Sequence, residues 1–334
     1  MKEKLIDLHL HLDGSLSLAS IQKLATMQNM DNYVYDGRLS ESAFNESILR
    51  KMQVDESCKN LNDYLERFAF ALSFLQTAEA IEESVYTLLE ECKALGMIYT
   101  EIRFAPQLHL EKGLTQREVI EAAIRGKKRS DLDSNLILCC MRSAENHEIN
   151  LETIRLAAEY LDQGVCAVDL AGGEVHFPFE SFALEFQLAK ELGIPVTIHA
   201  GEADGPESVW LALSFGATRI GHGVRSVEDP ELIKELANRG IVLELCPTSN
   251  LHTHVFERIE EYPIRKLLDA GVKATINSDN MTVSNTNVKK ELQLLQNTFK
   301  LSKEEIRQCK KHAVLAAFAN EDTKQRLLNE IEKE

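Results

Sequence analysis

The sequence predicts an α/β protein built as a (β/α)8 TIM barrel, with a helical insertion after the first strand and extra helices at the C-terminal end. Three observations carry this. Eight short apolar, β-rich runs recur along 334 residues, segments with helical spacing separate them, and no linker rich in Pro, Gly or Ser divides the chain. Residues 1–334 therefore read as a single barrel domain, since barrels of this class exceed the usual domain size. An open doubly wound sheet is the alternative arrangement of the same elements.

The predicted strands are Leu5 to Leu10, Met97 to Phe104, Leu136 to Met141, Val165 to Leu170, Pro195 to Ile198, Arg219 to Ile220, Ile241 to Leu245 and Lys273 to Ile276. Each is a short run of branched or apolar residues bounded by polar or turn residues, as buried parallel strands are. Helical spacing is clearest from Thr77 to Leu95, where Ile81, Val85, Leu88, Leu89 and Cys92 share a face. It recurs from Leu151 to Leu161 through Ile154, Leu156, Ala157, Ala158 and Leu161. The stretch from about Ser40 to Phe74 breaks the alternation and reads as the helical insertion. Three amphipathic or acidic helical segments close the chain from Val288 onward.

Composition narrows the function. Lys and Arg number 37 against 53 Asp and Glu, a formal charge of −16, which disfavours phosphate backbones and anionic lipid as partners. The expectation is no nucleic acid and no membrane. The N-terminal residues lack the long apolar stretch of a signal peptide, and no later run is long enough to span a bilayer, so the expected location is cytoplasmic. Seven cysteines without CxxC spacing suggest neither a disulfide framework nor a cysteine-built zinc site; Cys139, Cys140, Cys166 and Cys246 fall in strand-like runs and read as reduced core residues.

A barrel assembles its active site at the C-terminal strand ends. Those ends carry His9 and His11, Arg103, Arg142, Asp169 and Gly172, His199 and Glu202, His222, Ser249, and Asp279 with Asn280. His9 and His11 are two residues apart, so a period-two strand turns both to one side. A lone buried histidine is ordinarily a hydrogen-bonded core residue, but two on one face repel once protonated, and a shared cation holds both neutral. His199 and Asp279 are available to complete the shell, and three imidazoles with one carboxylate suit one Zn²⁺ per chain with an open position for water. Glu202, three residues past His199, reads as a proton shuttle beside the metal, or more simply as an acidic residue at a helix N-terminus. His222 lies between Gly221 and Gly223, where the backbone approaches closely, and reads as a base or an orienter of the reacting water. The other histidines, His109, His147, His176, His252, His254 and His312, lack a partner at a supporting spacing and read as surface or rim residues.

The set HLHLDGSL, EIRFAP, DLAGGE, HAGE, IGHG, CPTSN and NSDN, in this order over nearly the whole chain, resembles the adenosine deaminases, metal-dependent purine deaminases of the amidohydrolase type. The resemblance implies a zinc-dependent hydrolase that converts adenosine, and 2′-deoxyadenosine with it, to inosine and ammonia in purine salvage, a zinc-activated hydroxide attacking purine C6. It implies that His9, His11, His199 and Asp279 ligate the zinc, that Asp279 also orients the attacking water, and that His222 is its base and electrostatic partner. Glu202 matches the acid that protonates purine N1. The implied substrate-binding residues are His11 beside the metal, Asp13 for the ribose hydroxyl, Gly172 for N3, and Tyr64, Leu65 and Phe68 as an apolar lid.

Many relatives have two successive aspartates after the eighth strand, whereas this chain has Asp279 and Asn280. An amide already carries donor hydrogens, so Asn280 is expected to donate to purine N7 at any working pH. The expected partners are a purine nucleoside and water, with the oligomeric state left open. Competing readings are a related deaminase acting on adenine, on a modified nucleoside or on N6-methyl-AMP, a metal-dependent phosphoesterase, and a catalytically dead purine-binding barrel. Asp13 favours a ribose-bearing substrate, because the resembling adenine deaminases carry glutamate there, and no Lys or Arg cluster accompanies the motifs to hold a phosphate.

Overall fold

The structure is a computed structural model that describes residues 3–30, 41–143, 145–176 and 179–334. Eight parallel strands run in order: β1 Leu5–His11, β2 Met97–Phe104, β3 Ser134–Met141, β4 Val165–Ala171, β5 Thr197–Ala200, β6 Arg219–His222, β7 Val242–Leu245 and β8 Lys273–Ile276. Two four-stranded ladders, β1 to β4 and β5 to β8, close on each other. At one seam Val168 N–H donates to Pro195 O at 3.0 Å. At the other, His11 N–H donates to Asp279 O and Asp279 N–H donates to His9 O, each at 2.8 Å. Closure at both seams excludes the open doubly wound sheet.

β2 and β8 have the predicted bounds. β5 and β6 instead extend past the apolar runs, so that His199 lies inside β5 and His222 is the last residue of β6. The physical reason is that this end of the barrel interior is polar, so the apolar runs end at Ile198 and Ile220, before His199 and the Gly221–His222 pair.

The helix Ala78–Leu95 buries the predicted stripe of Ile81, Val85, Leu88, Leu89 and Cys92; Thr77 caps its start by accepting from Ala80 N–H, and Gly96 at φ +101° ends it. The insertion contributes the helices Glu41–Met52, Leu61–Leu65 and Phe68–Leu72, with its expected first residue, Ser40, outside the described residues. A helix not foreseen in the sequence, Leu18–Met27, precedes it and is capped by Ser17. The three closing helices are Val288–Phe299, Lys303–Ala316 and Glu321–Glu332, the second started by a reciprocal capping box between Ser302 and Glu305.

Branched apolar side chains usually fill such a barrel. Here the lower interior also holds wholly buried charges. Glu244 accepts from Arg103 at 2.7 Å, from Arg219 at 2.6 Å and from the Thr197 hydroxyl at 2.8 Å; Arg103 also donates to Asp169 at 2.9 Å, and Arg219 pairs with Glu101 at 2.6 Å. Every one of these charges is paired, as buried charges must be. All seven cysteines are free and buried. Among the described residues no helix is long and apolar enough to cross a membrane.

Candidate active site

The C-terminal mouth of the barrel opens into a cavity of 180 Å³ under the helices Leu61–Leu65 and Phe68–Leu72. Tyr64, Leu65 and Phe68 roof it, with Tyr64 buried and its hydroxyl 2.7 Å from Ser284 Oγ on the loop after β8. Cys139, Met141 and Ala171 form an apolar wall. His11, His199 and Asp279 lie at the floor.

His9, His11, His199 and Asp279 come together as sequence reasoning expected, with all four ligand atoms within 4.8 Å of one another. His11 Nε2 lies 3.2 Å from His199 Nε2, and Asp279 Oδ1 lies 3.4 Å from both His9 Nε2 and His11 Nε2. Tetrahedral bonds of about 2.05 Å give ligand separations of about 3.3 Å, so these spacings fit one small divalent cation.

The proton positions point the same way. His9 Nδ1 lies 2.8 Å from Glu244 Oε2, and His199 Nδ1 lies 2.9 Å from Asp169 Oδ2. Each carboxylate accepts from the Nδ1–H of its imidazole, leaving a lone pair on Nε2 of the neutral ring. His9 Nε2 is buried with no hydrogen-bond partner among the described residues, facing the Asp279 carboxylate. Lone pairs converging in a dry site are tolerable around a cation. A second group, His9, His222, Cys246 and Asp279, has comparable proximity, but the Cys246 thiol donates to Glu244 O at 3.4 Å and burial pushes its pKa well up, which makes it a poor ligand.

Above the cluster stand His222 and Glu202, with His222 Nε2 3.6 Å from Glu202 Oε2. Burial, with the charges of Asp279 and Glu174 nearby, holds the Glu202 carboxyl well above its ordinary value, while the Thr253 hydroxyl donates to its Oε1 at 3.3 Å. Burial likewise pushes His222 well below the usual imidazole range. Tyr262 donates to Asn250 Oδ1 at 3.4 Å, which turns the Asn250 amide N–H to His222 Nδ1 at 3.1 Å, so neutral His222 carries its proton on Nε2. His222 has φ +61° and Asp279 φ +58°, left-handed conformations that cost a non-glycine residue energy and aim both side chains into the cavity.

The remaining expected residues also line the cavity. Asp13 is pushed up to about 6 by burial, and its Oδ1 has no partner among the described residues. Gly172 has φ +99°, which a side chain would resist. Asn280 Oδ1 is buried without a described partner against Gly14, where a Cβ would come within 1.8 Å of it. Several histidines depart from expectation or lie beside it. His109, read as a rim residue, is wholly buried with Nδ1 2.8 Å from Leu75 O. His254 is exposed at the rim, and the side chain of His176 lies outside the described residues.

The sequence reading passed over Glu244, Thr253, Asn250 and Glu174. Glu244 and Glu174 left one detectable signal, an isolated acid in an otherwise apolar or glycine-rich stretch.

Fold and site together define a metal-dependent hydrolase of the amidohydrolase class. The family model described as adenosine deaminase matches residues 5–334, and the chain belongs to the adenosine deaminase family. It is 44% identical over 336 residues to the adenosine deaminase of Haemophilus ducreyi, covering 98% of this chain and 95% of that protein. Two solved structures share the fold. The N6-methyl-AMP deaminase of Arabidopsis thaliana has a TM-score of 0.84 at 24% identity, covering 99% of this chain and 97% of that one. The adenine deaminase of Arthrobacter aurescens has a TM-score of 0.84 at 23% identity, covering 98% of each chain.

Proposed function

We propose that this chain, as one barrel domain over residues 1–334, hydrolyses adenosine and 2′-deoxyadenosine to inosine and ammonia in purine salvage. The observation that carries this reading is the buried Glu202 carboxyl, raised well above its ordinary value, beside His222 and the donor cluster in one cavity. Hydrolysis at an aromatic C6 needs both an activated water and a proton for the ring.

His9, His11, His199 and Asp279 hold one cation, and three imidazoles with one carboxylate suit Zn²⁺. When bound, such a cation lowers the pKa of a water towards neutral. The chain's own residues do the rest. Glu202 delivers its carboxyl proton to purine N1, which draws electrons from C6. His222, with its proton on Nε2, stabilises negative charge on the oxygen arriving at C6, which favours its electrostatic role over that of a base. Asp279 orients the water; of its two protons one passes to the C6 amino group, which leaves as ammonia, and the other restores the Glu202 acid.

Binding follows from the walls. His11 lies against the substrate beside the metal. The Gly172 backbone meets N3, and Asn280 addresses N7. Asp13 Oδ1, without a partner among the described residues, accepts from a ribose hydroxyl, which favours a nucleoside over adenine. Tyr64, Leu65 and Phe68 exclude water from above. Seven unpaired thiols fit a reducing cytoplasm.

The test is turnover of adenosine, adenine and N6-methyl-AMP in parallel, followed by ultraviolet absorbance. Selective loss of adenosine is the expected result. Preference for adenine or N6-methyl-AMP would assign the site to one of the related deaminases.

A further inference from the structure

Glu174 is buried, and the reaction described above does not use it. Its carboxylate accepts from four successive backbone N–H groups of the loop after β5. Oε1 takes Gly201 at 2.6 Å, and Oε2 takes Glu202 at 3.1 Å, Ala203 at 2.7 Å and Asp204 at 2.9 Å. The Ser208 hydroxyl adds a bond to Oε1 at 2.8 Å. This loop has no ladder to satisfy its amides, so the carboxylate stands in for one. From the other side Arg225 donates to Ala203 O at 2.9 Å through its guanidinium, and to Gly201 O at 3.0 Å through its backbone.

Glu174 sits two residues past Gly172. One short segment after β4 therefore presents the Gly172 backbone to the cavity and grips the loop that presents Glu202. We propose that Glu174 is a positioning residue whose carboxylate locks the loop after β4 to the loop after β5, and so fixes Glu202 against the purine edge that Gly172 meets. The proposal rests on the reading of Glu202 as the N1 acid. N1 and N3 lie on one ring, so the two loops must hold a fixed spacing for both contacts to form at once. A misplacement of about 1 Å in such a contact costs on the order of 100-fold in rate. The negative charge of Glu174 beside Glu202 also favours the neutral acid.

The test compares Glu174→Gln with Glu202→Gln in the zinc-loaded full chain. Gln keeps the size but turns an N–H group towards N–H donors. The expected result for Glu174→Gln is a kcat for adenosine lowered about 100-fold, with KM, the inhibition constant of inosine and zinc per chain all close to the parent's. A purely structural role would instead lower zinc content and inosine affinity together with kcat, and that outcome overturns the proposal, as does a kcat near the parent's. Glu202→Gln at parental activity would overturn the reading of the acid itself. Should Glu174→Gln fail to fold, Ser208→Ala decides, because it removes one of the five bonds. A kcat lowered several-fold at constant KM supports the proposal, and an unchanged kcat overturns it.

Discussion

His9 and Asp279 meet twice: the Asp279 N–H donates to His9 O at 2.8 Å, and Asp279 Oδ1 lies 3.4 Å from His9 Nε2. The first contact closes the barrel between β8 and β1, and the second builds the donor cluster. Closure and metal binding thus share the same two residues. Metal held by the native state at a thousandfold excess over its Kd adds about 4 kcal/mol. With an unfolding entropy of about 2.1 cal/mol/K per residue, that corresponds to roughly 6 °C in a chain of this size. Calorimetry of chelator-treated and zinc-loaded protein checks it, and equal melting temperatures would contradict it.

Glu244 lies beneath His9 and balances two arginines. Burial alone would raise its pKa, but Arg103 and Arg219 hold it well below the ordinary carboxylate range. Glu244→Gln leaves Arg103 paired with Asp169 and Arg219 with Glu101 but turns an amide N–H towards their buried donors, at an expected cost of about 1–3 kcal/mol. Urea unfolding at neutral pH measures this, and a loss below about 1 kcal/mol would show that the network relaxes around the change.

Asn280 is tested by its neighbour as well as by itself. Asn280→Ala is expected to raise KM for adenosine about 3- to 10-fold, the worth of one hydrogen bond, with zinc content intact. Gly14→Ala places a Cβ 1.8 Å from the present position of Asn280 Oδ1 and must displace the amide, so the same KM effect is expected without touching residue 280. Unchanged KM in both variants would remove Asn280 from purine recognition.

Stability should fall as the solution becomes more alkaline because of Glu291. This carboxyl accepts from Thr248 N–H at 3.1 Å and from the Thr286 hydroxyl, yet burial pushes it up to about 7. Between its ordinary value and about 7 the folded chain keeps a proton that the unfolded chain has released, so stability is lost as pH rises through that window and levels off above it. Glu291→Gln removes this slope and is expected to be more stable than the parent at pH about 8 by about 3 kcal/mol. Denaturant unfolding at several pH values reads it, and a parent that gains stability between pH about 5 and 7 more steeply than the variant would contradict the assignment.

The sequence made strand ends legible where turn residues mark them: Met97–Phe104 lies between Gly96 and Pro106, and Lys273–Ile276 follows Gly271. Thr197–Ala200 and Arg219–His222 run past their apolar residues because His199 and His222 face the polar mouth of the interior. Within the site, His9 and His11 announced themselves by spacing on one strand. Glu244 did not, because its bond to His9 joins positions 235 residues apart and a single acid in an apolar run carries no partner's name. Glu174 was hidden likewise, its partners being backbone amides that have no side-chain signature. His109 looked like a rim residue for the opposite reason, since only the fold brings the Leu75 carbonyl to its ring.

Zinc titration of metal-free protein, with adenosine deamination followed at each step, tests the single-cation site most directly. Turnover is expected to rise linearly and saturate at one zinc per chain. Full turnover without metal, or a requirement for two or more ions, would contradict it.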